Sequence, residues 1–135
     1  MTTPTARIWP CLNYRDALGA IRFLVDVVGF DETAVYTSDD GRHVQHAELT
    51  WPEGGGVMLG SAKEDGTPFE QLPTGASGLY VVTARPDEVH QRVLAAGAEV
   101  VSPLQDKEHG EGDLTIRDPE GNLWSFGSYR GTQPQ

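Results

Sequence analysis

A single cysteine, Cys11, rules out any disulfide within the chain and fits a reducing compartment. No apolar run approaches the roughly 20 residues a membrane-crossing helix needs. The opening residues Met1-Thr2-Thr3-Pro4-Thr5 lack the basic flank and apolar stretch of a secretory signal. A cytoplasmic location is therefore expected. Basic residues are also scarce: 10 Lys and Arg stand against 20 Asp and Glu, for a formal net charge of −10. No acidic tail explains the excess, because the acidic residues divide evenly between the two halves of the chain. A field of that sign repels nucleic acid and anionic lipid and draws in cations, so the expected partner is a small molecule rather than nucleic acid or membrane. What remains is a chain of 135 residues, 38% of them hydrophobic, enough to build a core in one domain spanning residues 1–135.

The chain also repeats itself. Gly29-Phe30 ends one apolar helical stretch, and Gly97-Ala98 ends another in the second half. Gly60-Ser61 closes the first half, and Gly127-Ser128 closes the second at almost the same offset. A fixed offset points to a duplicated unit. Two such units packed side by side are expected to leave a cleft between them.

Each unit reads as β-α-β-β-β. In the first, residues 8–13 form a strand interrupted by Pro10, and Ala17, Ala20, Ile21, Leu24, Val25 and Val28 fall at helical spacing until Gly29. Strands follow at residues 32–36, 44–51 and 57–60, separated by Asp40-Gly41 and by Gly54-Gly55-Gly56. Residues 61–76, polar and rich in Gly and Pro, read as the linker between a first module at 7–60 and a second at 77–130. The second module repeats the order, with strands at 79–82, 99–102, 114–117 and 122–129. Its helix starts at Pro86, carries Val89, Val93 and Ala96 inward and ends at Gly97. Residues 105–113 read as a charged flap, and Asp118-Pro119-Glu120-Gly121-Asn122 as a hairpin turn.

Alternation along the strands sorts the side chains. Ala47, Leu49 and Trp51 share one side, which covers the helix, and His46, Glu48 and Thr50 share the other. At the repeat offset the second module sets Asp113, Thr115 and Arg117 against the cleft and turns Leu114 and Ile116 to its helix. Ser125, Met58, Trp9, Cys11 and Asn13 are likewise expected in the cleft, whereas Trp124 and Phe126 point inward. Trp9, Met58, Tyr80 and Trp124 offer flat or apolar contact, although alternation assigns Trp124 to the core. Glu48 and Arg117 offer polar orientation, and they are equally able to pair with each other. Glu48 with His46 could serve as an acid–base pair.

The residues Leu12-Asn13-Tyr14-Arg15-Asp16-Ala17, then Ala20-Ile21-Arg22-Phe23-Leu24, Gly29-Phe30 and Asp118-Pro119-Glu120-Gly121-Asn122-Leu123-Trp124 resemble the vicinal oxygen chelate superfamily. That superfamily includes glyoxalase I, extradiol dioxygenases and bleomycin-resistance proteins. The resemblance implies an α+β fold of two paired βαβββ modules, a partly open cup of mixed strands with helices on the outside, assembled as a homodimer. In metal-dependent members one ligand stands on the first strand of each module and another on a later strand. Those positions fall here on Trp9, Glu48, Gly78 (with Leu79 or Tyr80 in reach) and Ser125, which offer one usable ligand. A relocated metal would have to use His43, His46 and Glu48, with His109 from the flap. The expectation is therefore a protein resembling the bleomycin-resistance type. It would bind a small molecule, with a cationic antibiotic among the candidates, and would use no cofactor and no metal. The expected contact residues are Trp9, Cys11, Asn13, His46, Glu48, Met58, Tyr80, Thr115, Arg117, Trp124 and Ser125. The alternative is a lyase, isomerase or dioxygenase of the same fold using a relocated metal.

Overall fold

The computed structural model describes residues 7–104 and 112–132. The first module runs β1 (Cys11–Tyr14), α1 (Ala17–Arg22, continued as a π-helix over Phe23–Val28), β2 (Asp31–Thr37), β3 (Val44–Thr50) and β4 (Gly56–Ser61). The second runs β5 (Gly78–Val82), α2 (Pro86–Ala95), β6 (Glu99–Ser102), β7 (Leu114–Arg117) and β8 (Leu123–Gly127). Each module makes one open four-stranded sheet, ordered β1-β4-β3-β2 and β5-β8-β7-β6. In both, the first strand pairs parallel to the last and the other pairings are antiparallel. The fold class is thus the α+β arrangement of βαβββ modules that the sequence predicts.

Local chemistry accounts for the element ends. The Asp16 side chain accepts from the Gly19 amide at 3.0 Å and caps α1. The expected helix does not stay α-helical to Val28. Beyond Arg22 it widens, and the amides of Gly29 and Phe30 both reach the Leu24 carbonyl at 2.9 Å. The β-branched Val25, Val27 and Val28 disfavour a tight α turn there, and Gly29, at φ 113°, supplies the left-handed exit. In the first strand Pro10 donates nothing, so β1 starts after it, although the Pro10 carbonyl still accepts from the Met58 amide at 2.9 Å. Val89 and Val93 of α2 are buried as expected, but Ala96 lies past the helix end and is exposed.

The helix-covered sides of the two sheets meet. Ala47, Leu49, Trp51, Leu114, Ile116, Trp124 and Phe126 are all buried in one hydrophobic core. Within it the Phe30 ring stands 5.0 Å from Trp51 and 5.7 Å from Trp124, and Trp51 stands 6.0 Å from Phe126. Arg92 of α2 donates to the carbonyls of Val27 and Val28, closing the end of the π-helix. Because Trp51 and Phe126 meet from the helix sides of their own sheets, the uncovered faces of the two sheets look away from each other.

Two pairs of reciprocal locks join the modules. Glu120, in the β7–β8 turn, accepts from the Arg15 and Asp16 amides at 2.7 Å, ahead of α1. Glu53, in the β3–β4 turn, accepts from Thr83 Oγ1 and the Ala84 amide, ahead of α2. Trp51 Nε1 donates to the Val82 carbonyl at 3.1 Å, and Tyr14 donates to Asp118 Oδ2 at 2.7 Å. Asp118 is buried. Its two oxygens also accept from Asn122 Nδ2, Trp124 Nε1 and the amides of Glu120, Gly121 and Asn122, so hydrogen bonds replace the water this carboxylate has lost. Burial, and then the Asp118 charge beside it, pushes the Tyr14 hydroxyl well above the ordinary phenol range.

Candidate functional site

The ladders of the first sheet assemble its uncovered face. Cys11 stands beside Met58, Met58 beside Glu48, and Glu48 beside Ala34; in the next row Asn13 stands beside Gly60 and His46 beside Tyr36. Trp9 lies on the same side, its ring so close over Gly56 that a Cβ there would come within 2.7 Å of it. A cavity of about 880 Å³ occupies this face, with Cys11, Asn13, His46, Met58, Gly60 and Phe69 among its walls. Of the expected site residues, the fold brings together Trp9, Cys11, Asn13, His46, Glu48 and Met58.

Two contacts set its chemistry. His46 Nε2 lies 2.8 Å from Glu48 Oε2, while the Tyr36 ring stacks on the imidazole at 6.3 Å. His46 lines the cavity, and Glu48 follows two residues along β3 on the same face. Donated to the carboxylate, the Nε2 proton leaves Nδ1 as an acceptor. The second contact joins His43 Nε2 to Glu70 Oε2 at 3.0 Å. The Thr67 amide, ahead of His43, holds the Glu70 carboxyl below the usual carboxylate range. The Ser38 hydroxyl and then the Arg42 amide do the same for Asp40, which also lines the cavity. The rim thus keeps its negative charge.

Tyr80, Thr115, Arg117 and Ser125 lie on the second sheet, so one chain does not gather all the expected residues into a single cleft. Thr115 and Ser125 share a hydroxyl hydrogen bond of 2.7 Å, and Arg117 pairs with Glu99 at 3.0 Å. Arg117 does not pair with Glu48, because the two sheets meet through their helix-covered sides and hold these residues apart. Tyr80 donates to Asp113 Oδ1 at 3.2 Å and accepts from the Tyr129 amide. Trp124 is fully buried, as strand alternation predicts, and its indole N–H donates to Asp118 at 3.1 Å. Its parity with Phe126 decides this.

The registers also refine the repeat. Met58 faces Glu48 as Ser125 faces Thr115, so Glu48 corresponds to Thr115 and Met58 to Ser125. Cys11 faces Met58 and Tyr80 faces Ser125, which makes Trp9 the counterpart of Gly78. The symmetric set is therefore Trp9, Met58, Gly78 and Ser125, and it holds neither a histidine nor a carboxylate. Such a set does not fit the divalent ion that the family's metal-dependent members hold. The relocated set fares no better, since His43 turns to Glu70 and His46 to Glu48. Among the described residues no group of three His, Cys, Asp or Glu is arranged to hold a metal. His109 and residues 105–111 of the expected flap lie outside the described residues.

Sequence reasoning missed Tyr36, Phe69 and Glu70. Tyr36 carries a legible signal, being two residues from Ala34 on the same strand face. Phe69 and Glu70 sit in a polar segment without periodicity, and only the chain's return over the sheet brings them to the site.

The sequence profile of the Glyoxalase/Bleomycin resistance protein/Dioxygenase superfamily matches residues 7–126. An uncharacterized protein of Mycobacterium bovis is 32% identical over 127 residues, covering 87% of this chain and 80% of its own length. The crystal structure of TioX from Micromonospora sp. ML1 is similar with a TM-score of 0.72 and 33% identity, over 90% of this chain and 97% of TioX. A glyoxalase/bleomycin resistance protein from Streptomyces sp. CB03234 shares the fold, with a TM-score of 0.61 and 24% identity over 89% of this chain and 99% of its own.

Proposed function

The chain belongs to the glyoxalase/bleomycin resistance protein/dioxygenase superfamily, and on that premise we propose that it binds a cationic small molecule on the open face of its first sheet without converting it. The observation that carries this reading is the cavity of about 880 Å³, rimmed by Asp40 and Glu70 and walled by His46, Met58 and Phe69. Apolar and aromatic walls with a few aimed polar groups suit a bound organic molecule. Carboxylates held in their charged form suit a cation. An indole at Trp9 and no side chain at Gly78 leave both positions without a metal-binding atom, which favours holding over metal-assisted turnover.

The ligand side and the assembly are linked in this reading. Tyr80, Val82, Val101 and Leu123 leave the second sheet with exposed apolar surface. A homodimer that lays this face over the first sheet of another copy covers that surface and reunites the residues that the repeat pairs. Light scattering on the purified chain is expected to give twice the chain mass, and a monomer at micromolar concentration would remove the assembly from the proposal.

The direct test is thermal unfolding with a panel of cationic glycopeptide antibiotics, where binding without turnover raises Tm. Trp9→Ala is expected to weaken the binding so found by about 1–3 kcal/mol if the indole is a stacking platform. Conversion of the methylglyoxal–glutathione hemithioacetal, or metal-stimulated cleavage of a catechol, would replace this reading with the lyase or dioxygenase one.

A further inference from the structure

Charge is spread unevenly around the cavity of the first sheet. Cys11, Met58 and Phe69 give one part of its wall an apolar character, whereas Asp40, His43 and Glu70 gather where the β2–β3 turn meets the segment that follows β4. His43 is the centre of that polar end. Its Nε2 donates to Glu70 Oε2 at 3.0 Å, and its amide donates to the Ser38 hydroxyl, which in turn donates to Asp40 Oδ1 at 2.6 Å. The Ser38 hydroxyl holds Asp40, and the Thr67 amide Glu70, below the usual carboxylate range; the His43 charge adds to both in the same direction. One imidazole therefore acts on two carboxylates that stay ionised.

The surroundings make this group responsive to a further charge. The side chains of His43 and Glu70 are 30% and 27% exposed, so water screens them only in part. Lys63 lines the same cavity, and Arg42 precedes His43 in the turn. Lysine and arginine keep their charge near neutral pH, so both form a constant background. The second imidazole of the cavity, His46, lies on β3 with its Nε2 on Glu48. Between about pH 5 and 8 histidine is the side chain whose charge changes, and His43 is the histidine joined to the acidic rim.

We propose that Asp40, His43 and Glu70 form the seat for the ligand's positive charge, and that a proton on His43 competes with that charge for the same two carboxylates. The proposal rests on the binding reading above, to which it adds where the cation sits and what regulates it. An imidazolium at His43 supplies from within the charge that a cation would bring from outside. Affinity for a cation therefore rises with pH across the imidazole range, and binding expels a proton. Coupling of this kind is reciprocal: a bound cation makes His43 harder to protonate by the same factor. The seat also orients the ligand, with its charged head at Asp40 and Glu70 and its apolar body toward Met58 and Phe69.

Benzamidinium is a suitable probe, because it joins an apolar ring to a charge that is fixed between about pH 5 and 8. Calorimetric titration of the full chain at low ionic strength is expected to show about three- to tenfold tighter binding at the upper end of that range than at the lower. Both carboxylates remain ionised at the acid end, so the slope reports the imidazole. In NMR spectra the titration midpoint of His43 should fall on addition of benzamidinium by the matching factor. His43→Gln keeps a donor for Glu70 but cannot ionise, and is expected to bind with a flat pH profile. His46→Gln should bind more weakly at every pH and keep the slope. A profile that is flat in wild type, or equally steep in His43→Gln, would overturn the competition and leave the binding reading standing. A slope lost in His46→Gln instead would move the cation to Glu48 and overturn the seat. Binding of a glycopeptide without any binding of benzamidinium would likewise overturn the seat alone. Failure of both to bind at any pH would remove the binding reading and the seat together.

Discussion

Gly60 and Gly127 occupy the same place in the two sheets, related by the internal repeat, yet the space above them is used differently. Above Gly127, Tyr80 reaches across to Asp113, and a Cβ on the glycine would strike both Tyr80 Oη and Asp113 Oδ1. Above Gly60 no such pair exists, because Cys11 stands where Tyr80 stands in the other module and is too short to cross. The first hollow therefore stays open, with Lys63, Phe69 and Glu70 along one wall, while the second is filled by the chain's own side chains. The helix-covered sides contrast with this. There the locks remain reciprocal: Trp51 and Asp118, and likewise Glu53 and Glu120, are repeat equivalents, and each holds the opposite module. Burial constrains one side of a duplicated sheet to keep its contacts; the uncovered side is free to diverge.

The largest effects are expected where the contacts are shared, at the locks. Asp118→Ala strips the acceptor from a buried cluster that includes Tyr14, Asn122 and Trp124, and is expected to lower unfolding free energy by about 3–5 kcal/mol in a denaturant titration. Trp51→Phe, at the equivalent position, removes one hydrogen bond but keeps a ring, and should cost about 1–2 kcal/mol. Equal costs would mean that the two locks are energetic as well as geometric equivalents.

Substitution of the two glycines probes the faces that differ. Gly127→Ala must displace both Tyr80 and Asp113 and is expected to cost about 1–3 kcal/mol. In Gly60→Ala the nearest atom is the Val44 carbonyl at 3.2 Å, so the expected cost is below about 1 kcal/mol. The second substitution should nonetheless weaken ligand binding, as titration calorimetry with the glycopeptide found by thermal shift would reveal. Smaller still are the polar contacts. His46→Gln or Glu48→Gln is expected to weaken that binding by about 1 kcal/mol, and Thr115→Val or Ser125→Ala by less than about 0.5 kcal/mol. Equal losses would place the ligand on both faces.

The smallest effect is pH dependence at the exposed lock. Burial works against the Glu53 charge, but hydrogen bonds from Thr83 and the Ala84 amide outweigh it and hold its pKa below the ordinary glutamate value. A lowered folded-state pKa adds stability above the unfolded value and loses it as pH falls through the folded one. Melting curves on the acid side of the ordinary glutamate range should thus fall less steeply for Glu53→Gln than for wild type; parallel curves would show that the carboxylate adds nothing. Tyr14 acts in the opposite sense. Its raised pKa contributes stability below the ordinary phenol range that is lost as pH rises past it.

Much of the fold is legible in the chain because local rules agree with one another. The alternation of Ala47, Leu49 and Trp51 against His46, Glu48 and Thr50 sorts β3 correctly, and the same rule assigns Trp124 to the core. The strand ends at Cys11 and Gly127 and the π-helical turn at Phe23–Val28 are less legible. They depend on pairing partners and on crowding in the packed helix, which no window of sequence contains. On the open face of the first sheet, the places of Trp9, Cys11, Asn13, His46, Glu48 and Met58 are readable from strand parity alone. Phe69 and Glu70 are not, since neither periodicity nor motif marks them.

The two βαβββ modules, the buried side of each strand and the net negative charge all follow from periodicity, parity and charge count, which the chain carries before it folds. How the modules meet does not follow from them. The repeat predicts a shared cleft; the aromatic rings of Phe30, Trp51, Trp124 and Phe126 instead draw the helix-covered sides together and turn the two open faces outward. Parity tells each strand which way its side chains point, but the partner against which an apolar side is buried is a choice among surfaces, and the largest aromatic area decides it.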